Sequence, residues 1–446
     1  MRYASAPLPF ALAALLTLAA CGNANSSAPT PNVAPLLDGR AELQPEPLAD
    51  LAYKRALLGG HWLAGAIRKD GSFYYEYAPQ SDSYEKDEYN EVRHAGATYS
   101  LWQLYGATRS AQGGDEAIRE AAEAASGWIE ANSVDLGARG RAFVWGGRMK
   151  LGGQALALVA LLERRRVTGD TAYDKLIDGL ARFMLAMELP QDRGRYFQSF
   201  DARRNELLLT PDSDFYPGEA LLALTRLAQQ DFNDGPWLEA ARRAAQYLVY
   251  RKDGDIPAAG KVPRHDHWLT MALAELHRLH RDDSYRKVVY LQADDMIERQ
   301  FGADAEHPQR IGAAQPRKMI SYTSTATKGE ALAAAWALAR AIGDEAAADR
   351  FALGARRNGQ FRMRVQWLPD NAGLYPNPQR LYGGWGGSPA KPTVRIDFVQ
   401  HNVSALIGLW SITRNGDLAL AGAKGGSGDP PAARPVAGGG TARTGS

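Results

Sequence analysis

Between Glu91 and Trp410 the chain states one pattern six times: a polar or glycine-bearing start, then an alanine- and leucine-rich stretch of helical length, each preceded by a more charged amphipathic stretch. The apolar members begin near Asn90, Gly152, Tyr216, Arg264, Thr327 and Gln400, and three share Gly-(Glu/Gln)-Ala-Leu, at 153–156, 218–221 and 329–332. One helix pair recurring along a chain is the signature of a repeat architecture. Degenerate copies favour a closed ring over an open solenoid.

The charged members, at 49–67, 115–132, 171–188, 236–250, 284–300 and 345–365, keep apolar residues at helical spacing with one wet face. The apolar members lack that wet face, as in the run 155–162, so they must be buried. Two concentric layers follow. The predicted fold is all-α, an (α/α)6 toroid of six helical hairpins with short strands in its loops. All inner helices then start on one face.

Composition agrees with a core of that size. The chain has 446 residues, 45% hydrophobic and 23% charged, and the unbroken repeat favours one domain over 45–420. A formal charge of +2 gives no basis for a nucleic-acid partner. The ends read differently. Arg2 precedes an apolar stretch, 8–20, too short to span a bilayer, and Leu18-Ala19-Ala20-Cys21 closes it. This resembles the lipobox of bacterial lipoproteins. The resemblance implies a signal peptide at 1–20, a lipid (palmitate-bearing) anchor on Cys21 and, with Gly22 next, the outer membrane of the cell envelope. The alternative is a secretory signal cut near Ala20 or Ala24. Cys21 is the sole cysteine, so an intramolecular disulfide is excluded. Residues 21–44 read as a flexible tether, and the Gly/Ala/Pro-rich stretch 421–446 as a disordered tail.

In a closed helical ring the starts of the inner helices surround a central mouth, so chemistry-bearing residues there are the candidates. They cluster at Tyr89, Asn90, Glu91, Arg93 and His94; at Asp212, Asp214, Tyr216 and Glu219; at Arg264, His265, Asp266 and His267; at Thr327, Lys328 and Glu330; and at Arg395, Asp397, Gln400, His401 and Asn402. Several have structural readings. Thr327 and Glu330 fit a capping box, Glu219 behind Pro217 suits a helix macrodipole, and His94 could hydrogen-bond inside the core. His265 and His267 cannot share a helix face, so at most one faces the mouth.

Metal-binding spacings are absent, as are a phosphate loop and a Gly-x-Ser-x-Gly elbow. No metal and no cofactor are expected. What remains is carboxylates, histidines, tyrosines and arginines with aromatic loops, including Phe73, Tyr75, Tyr77, Trp145 and Trp385. That inventory fits carbohydrate, since carboxylates act on glycosidic bonds and aromatic faces stack on sugar rings. The alternation of Phe73, Tyr75 and Tyr77 fits a half-buried strand equally well.

By its six hairpins, with Tyr-Asn-Glu-Val-Arg-His-Ala-Gly at 89–96 and Arg-Ile-Asp-Phe-Val-Gln-His at 395–401, the chain resembles the six-hairpin glycosidase-like superfamily. The resemblance implies a glycoside hydrolase, polysaccharide lyase or sugar epimerase with its catalytic residues at inner-helix ends. As a hydrolase acting on a polysaccharide or oligosaccharide, the chain would use Asp214 and Asp397, with Glu91 and Glu219 behind them. Tyr89, Arg93, His94, Tyr216, His267, Lys328, Trp385, Arg395, His401 and Asn402 would bind substrate. As a uronate lyase or epimerase it would use His94, His267, His401 or Tyr216 as base and Arg93 or Arg395 to steady negative charge. A third reading is a non-catalytic glycan-binding lipoprotein of the envelope.

Overall fold

The apolar stretches form six inner helices: α2 (Glu91–Thr108), α4 (Leu151–Thr168), α6 (Tyr216–Gln229), α9 (His267–Leu279), α11 (Tyr322–Ile342) and α13 (Ile396–Thr413). Each packs on the next, and α13 packs back on α2, so the ring closes. The computed structural model describes residues 45–414 apart from 86–88, 111–112, 211–212, 263 and 317. The expected signal peptide, the lipid-bearing Cys21, the tether and the tail lie outside the described residues. No helix among the described residues is long and apolar enough to cross a membrane.

The charged stretches form the outer layer: α1 (Pro45–Gly65), α3 (Glu116–Ala131), α5 (Asp174–Ala186), α7 (Trp237–Tyr250), α10 (Asp283–Glu298) and α12 (Glu345–Arg364). A one-turn helix, α8 (Ile256–Ala259), lies in a loop. In α3 the spacing does the work: Ile118, Ala121, Ala122, Ala125, Trp128 and Ile129 face inward, and the Asp115 side chain caps the helix by accepting from the Ile118 N–H. Helix α4 is buried continuously from Leu151 to Arg164 because neighbours cover it on every side.

One pairing differs from the sequence reading. Each inner helix packs most closely on the outer helix that follows it, and α13 takes α1 as its partner. The connections at the inner helices' C-terminal ends are therefore tight, such as 280–282 and 343–344, whereas those leading into their N-termini are long, such as 187–215 and 365–395. Long loops carry the short strands and surround one mouth.

Two of those loops meet. Strand β1 (Glu76–Ala78) precedes α2 and β2 (Lys391–Arg395) precedes α13, and they pair antiparallel with Tyr77 opposite Val394. They form the centre of a four-stranded sheet joining the first and last inner-helix mouths. Phe73, Tyr75 and Tyr77 are buried here, so their alternation belongs to the core.

Two helix starts also move. Helix α11 begins at Tyr322 with Ser321 as its cap, accepting from the Ser324 N–H, so Thr327 and Glu330 are not a capping box. The Thr325 and Thr327 hydroxyls bond back to the carbonyls of Ser321 and Ser324, which lets β-branched residues sit inside the first turns. Helix α13 likewise begins at Ile396, one turn before the expected start.

Candidate active site

The shared Gly-(Glu/Gln)-Ala-Leu motif has a physical explanation. A Cβ on Gly218 would lie 2.7 Å from Asp266 Oδ2, and one on Gly329 would lie 2.5 Å from Asn358 Oδ1, so glycine permits close helix contact at both. The next residue divides by role. Gln154 closes the loop before α4, accepting from the Phe143 N–H at 2.8 Å and donating to its carbonyl at 2.7 Å. Glu219 and Glu330 stay inside the ring.

All six inner-helix N-termini contribute to one pocket of about 430 Å3, and its walls include Arg93, Tyr216, Glu219, His267, Lys328, Asp397 and His401. At its floor His401 Nδ1 lies 2.8 Å from Glu330 Oε2, and His267 Nε2 lies 3.8 Å from the same oxygen. The two imidazole rings are 5.2 Å apart and nearly perpendicular. Trp268 and Phe215 flank His267, whose Nε2 is buried without a protein partner.

Burial and electrostatics push these histidines apart. Burial, then the positive neighbours His401 and Lys328, lower the His267 pKa well below its ordinary value, so the ring is a neutral base. Burial also opposes the charge on His401, but the Glu330 carboxylate at Nδ1 prevails and raises its pKa. Glu330 is itself raised by burial, with His401 and Arg362 opposing that rise. His401 is therefore held as the proton-bearing partner.

The wall beside His401 is built from fixed charge. Arg395 binds Asp397 through two hydrogen bonds of 2.6 and 2.9 Å, and Arg93 Nε approaches the same carboxylate at 3.2 Å. Arg93 also donates to the Tyr75 hydroxyl. Burial alone would raise the Asp397 pKa, but the Arg395 bonds and the two guanidinium charges hold it below the usual range. Asp397 thus anchors arginines and is not a proton-bearing acid. Across the pocket Glu219 has the opposite character, since burial and then Asp266 raise its pKa well above the ordinary value. Burial also brings Lys328 down to about 8.

His267, Glu330 and His401 place three potential ligand atoms within 4.8 Å of one another, a set that could converge on a transition-metal ion. Lys328, Arg93 and Arg362 act on the same three side chains and oppose further positive charge.

His265 and His267 both line the pocket, against the expectation that at most one would, because the helix starts only at His267 and the helix-face argument does not reach His265. Other expected residues lie elsewhere. Asp214 is about half exposed and paired with Arg264 outside the pocket wall, which removes the burial an acid catalyst needs. Glu91 is fully buried with Lys150 Nζ at 3.0 Å, below Gly153. His94 is a core histidine, as its second reading had it: Nδ1 meets the Tyr89 hydroxyl at 2.7 Å and Nε2 the Ala125 carbonyl at 2.9 Å. Burial lowers its pKa to about 3. Tyr89 is committed to that contact and to the Phe73 N–H, among the rings of Trp128 and Trp145.

Trp385 offers no face to a sugar. Its ring is wholly buried against Gly59 of α1, with Nε1 donating to the Arg362 carbonyl. Asn402 is also buried, one position past His401 and thus turned away, with its amide donating to Phe398 O. Glu330 stood among the candidates at the inner-helix starts but was given no catalytic or binding role, because its local sequence matched a cap. The signal that could have found it is its motif position, the same as that of Glu219.

The sequence matches no protein-family model and no curated protein. Solved structures do match in fold. A D-mannose isomerase aligns at 13% identity with a TM-score of 0.57, over 83% of this chain and 98% of its own. Cellobiose 2-epimerase from Bacillus thermoamylovorans B4167 aligns at 14% identity and TM-score 0.59, over 80% and 98%. An unsaturated glucuronyl hydrolase specific for heparin aligns at 14% and 0.56, over 83% and 99%. These likenesses show the fold alone: the chain is an (α/α)6 toroid, as the sequence indicated.

Proposed function

We propose that this chain is a carbohydrate-active enzyme that moves a proton at a carbon beside the carbonyl group of a reducing sugar, as an isomerase or epimerase does. The observation that carries the reading is the histidine pair: two rings 5.2 Å apart, one neutral with a free nitrogen, the other kept protonated by Glu330. Titratable neighbours driven to opposite protonation states are how acid and base roles are divided. His267 Nε2 takes the proton from the carbon, and its electrons form the enediol double bond. His401, with Nδ1 toward Glu330, gives its Nε2 proton to the carbonyl oxygen as that oxygen gains charge. Return of a proton to either carbon completes isomerisation or epimerisation. The fold neighbours named as a mannose isomerase and a cellobiose epimerase support this reading.

The test is incubation of residues 45–420 with a panel of reducing mono- and disaccharides in D2O, followed by NMR. A new epimer or ketose carrying deuterium at the former C–H position is expected. Release of new reducing ends without deuterium uptake would sink the reading.

Glu219 favours a second reading, glycoside hydrolysis. It is buried in the same pocket with a raised pKa, the state a general acid requires. The heparin-specific glucuronyl hydrolase among the fold neighbours fits that alternative. For location we propose a lipid anchor at Cys21. Cys21→Ser should release the full chain from the membrane fraction, and unchanged retention and processing would refute the anchor.

A further inference from the structure

A second cavity, of about 300 Å3, lies on the barrel axis between the C-terminal halves of the inner helices, at the end opposite the pocket. Its walls include Glu330, Ser404, Arg226 and Glu275, and it reaches Arg109 and Trp410 near the C-terminal ends of α2 and α13. Glu330 stands between the two spaces. Its Oε2 meets His401 on the pocket side, while Oε1 is buried without a protein partner.

Glu330 is not alone in that respect. Arg226 Nη1 and Ser404 Oγ are also buried without a hydrogen-bond partner in the protein, and both side chains line the same cavity. Each residue is at least nine-tenths buried. A buried polar group left without a partner is destabilising, so three around one space need a common partner. A cavity of this volume holds on the order of ten waters, and polar walls favour filling it. Arg226 adds no uncompensated charge, because it binds Glu275 at 2.9 and 3.2 Å with Glu163 at 3.9 Å.

We infer that this cavity is a hydrated shaft through which Glu330 exchanges protons with solvent at the face opposite the substrate mouth. The groups facing Glu330 are His267 from α9, His401 and Ser404 from α13, and Arg362 from α12. In the resting pair His401 is protonated on both nitrogens and Glu330 is a carboxylate. When His401 gives its Nε2 proton to substrate, the ring stays neutral with its proton on Nδ1, and a hydronium ion of the shaft protonates Glu330 Oε1, which restores the charge of the pair. When Nε2 takes a proton back from the pocket side, Oε1 gives its proton back to the shaft. A sugar closing the pocket would not isolate the pair from solvent protons. That consequence rests on the proton-transfer reading above; the shaft itself does not.

Two measurements on the full chain test the shaft without using turnover. A crystal structure at high resolution should show ordered waters on Glu330 Oε1, Ser404 Oγ and Arg226 Nη1. A dry cavity, or solvent that stops short of Glu330, overturns the inference. In protein labelled with 15N-histidine, solvent exchange of the His401 Nδ1 proton should slow at least tenfold in Ala334→Leu, which adds bulk at a residue lining the cavity. Ser404→Leu serves if that variant fails to fold. The His401 shifts and the melting temperature should be kept. An unchanged exchange rate in a folded, filled variant also overturns the inference. Absence of isomerase activity would refute the catalytic reading and leave these two results standing.

Discussion

Two clusters of buried histidine sit at inner-helix mouths of this ring, and they do opposite things. At the start of α2, both His94 nitrogens are bonded to the protein, within a shell of Tyr89, Phe73, Trp128 and Phe143. Where α9, α11 and α13 converge, His267 keeps a buried nitrogen free and His401 shares a proton with Glu330. Burial is similar in both places. What separates packing from chemistry is whether each ring nitrogen already has a fixed partner.

Substitution should separate the clusters most sharply. His267→Asn or His401→Asn should lower turnover by about 10^3-fold, in the range that general acid–base groups supply, while the melting temperature moves by a few degrees. Retained turnover in both variants would show that the chemistry lies elsewhere in the pocket, with Glu219 next to be tested. His94→Ala should do the reverse. It leaves the Tyr89 hydroxyl and the Ala125 carbonyl short of a partner and opens a cavity, costing about 3 kcal/mol. Activity per folded molecule should stay within a few-fold, read by pairing denaturant unfolding with kinetics.

Stability against pH sharpens the same contrast. The folded pKa of His94 is depressed to about 3. Its stabilising contribution is therefore complete above the unfolded value of about 6.5 and drains as pH falls toward 3, by up to about 1.4 kcal/mol per unit. His94→Gln should flatten that acid limb. The folded pKa of His401 is raised, so its contribution is full below the unfolded value and is lost as pH rises through the folded one. Unfolding free energies measured from pH 4 to 9 on the parent, His94→Gln and His401→Gln should assign tilts of opposite sign to these two rings, with His267 tilting in the same sense as His94. A His401→Gln variant that keeps the alkaline tilt would show that His401 does not carry it.

The smallest effect is expected from Asp214. Its pair with Arg264 is solvent-exposed, and such pairs are worth about 0–1 kcal/mol. Asp214→Asn should leave both turnover and melting nearly unchanged. A large loss of turnover would restore it as a catalytic carboxylate.

The layers and the mouth were legible in the sequence because they follow from local pattern. Alanine-rich stretches had to be buried, and parallel inner helices had to gather their N-termini. Individual roles were less legible, for three physical reasons. Helix α11 starts earlier than its capping motif suggests because the Ser321 hydroxyl, upstream of Thr327, accepts from the first-turn Ser324 N–H, and this moves Glu330 from a cap to the axis. Asn402 follows His401 directly, so only the helix phase tells which one faces the pocket. Trp385 precedes an inner helix in sequence, yet its indole N–H finds a backbone carbonyl inside the core, a long-range contact without local signal.

The β1–β2 pairing and the docking of α13 on α1 make the two ends of the folded body neighbours, with Tyr53 and Trp410 only 5.4 Å apart. No hairpin is terminal, so the protein needs none of the capping units that protect the ends of open repeat arrays. Where the chain begins is then a matter of covalent connectivity more than of architecture. A circular permutant joining Pro45 to Thr413 through a short linker, and opened at the turn 343–344, should rebuild the same ring around the same pocket.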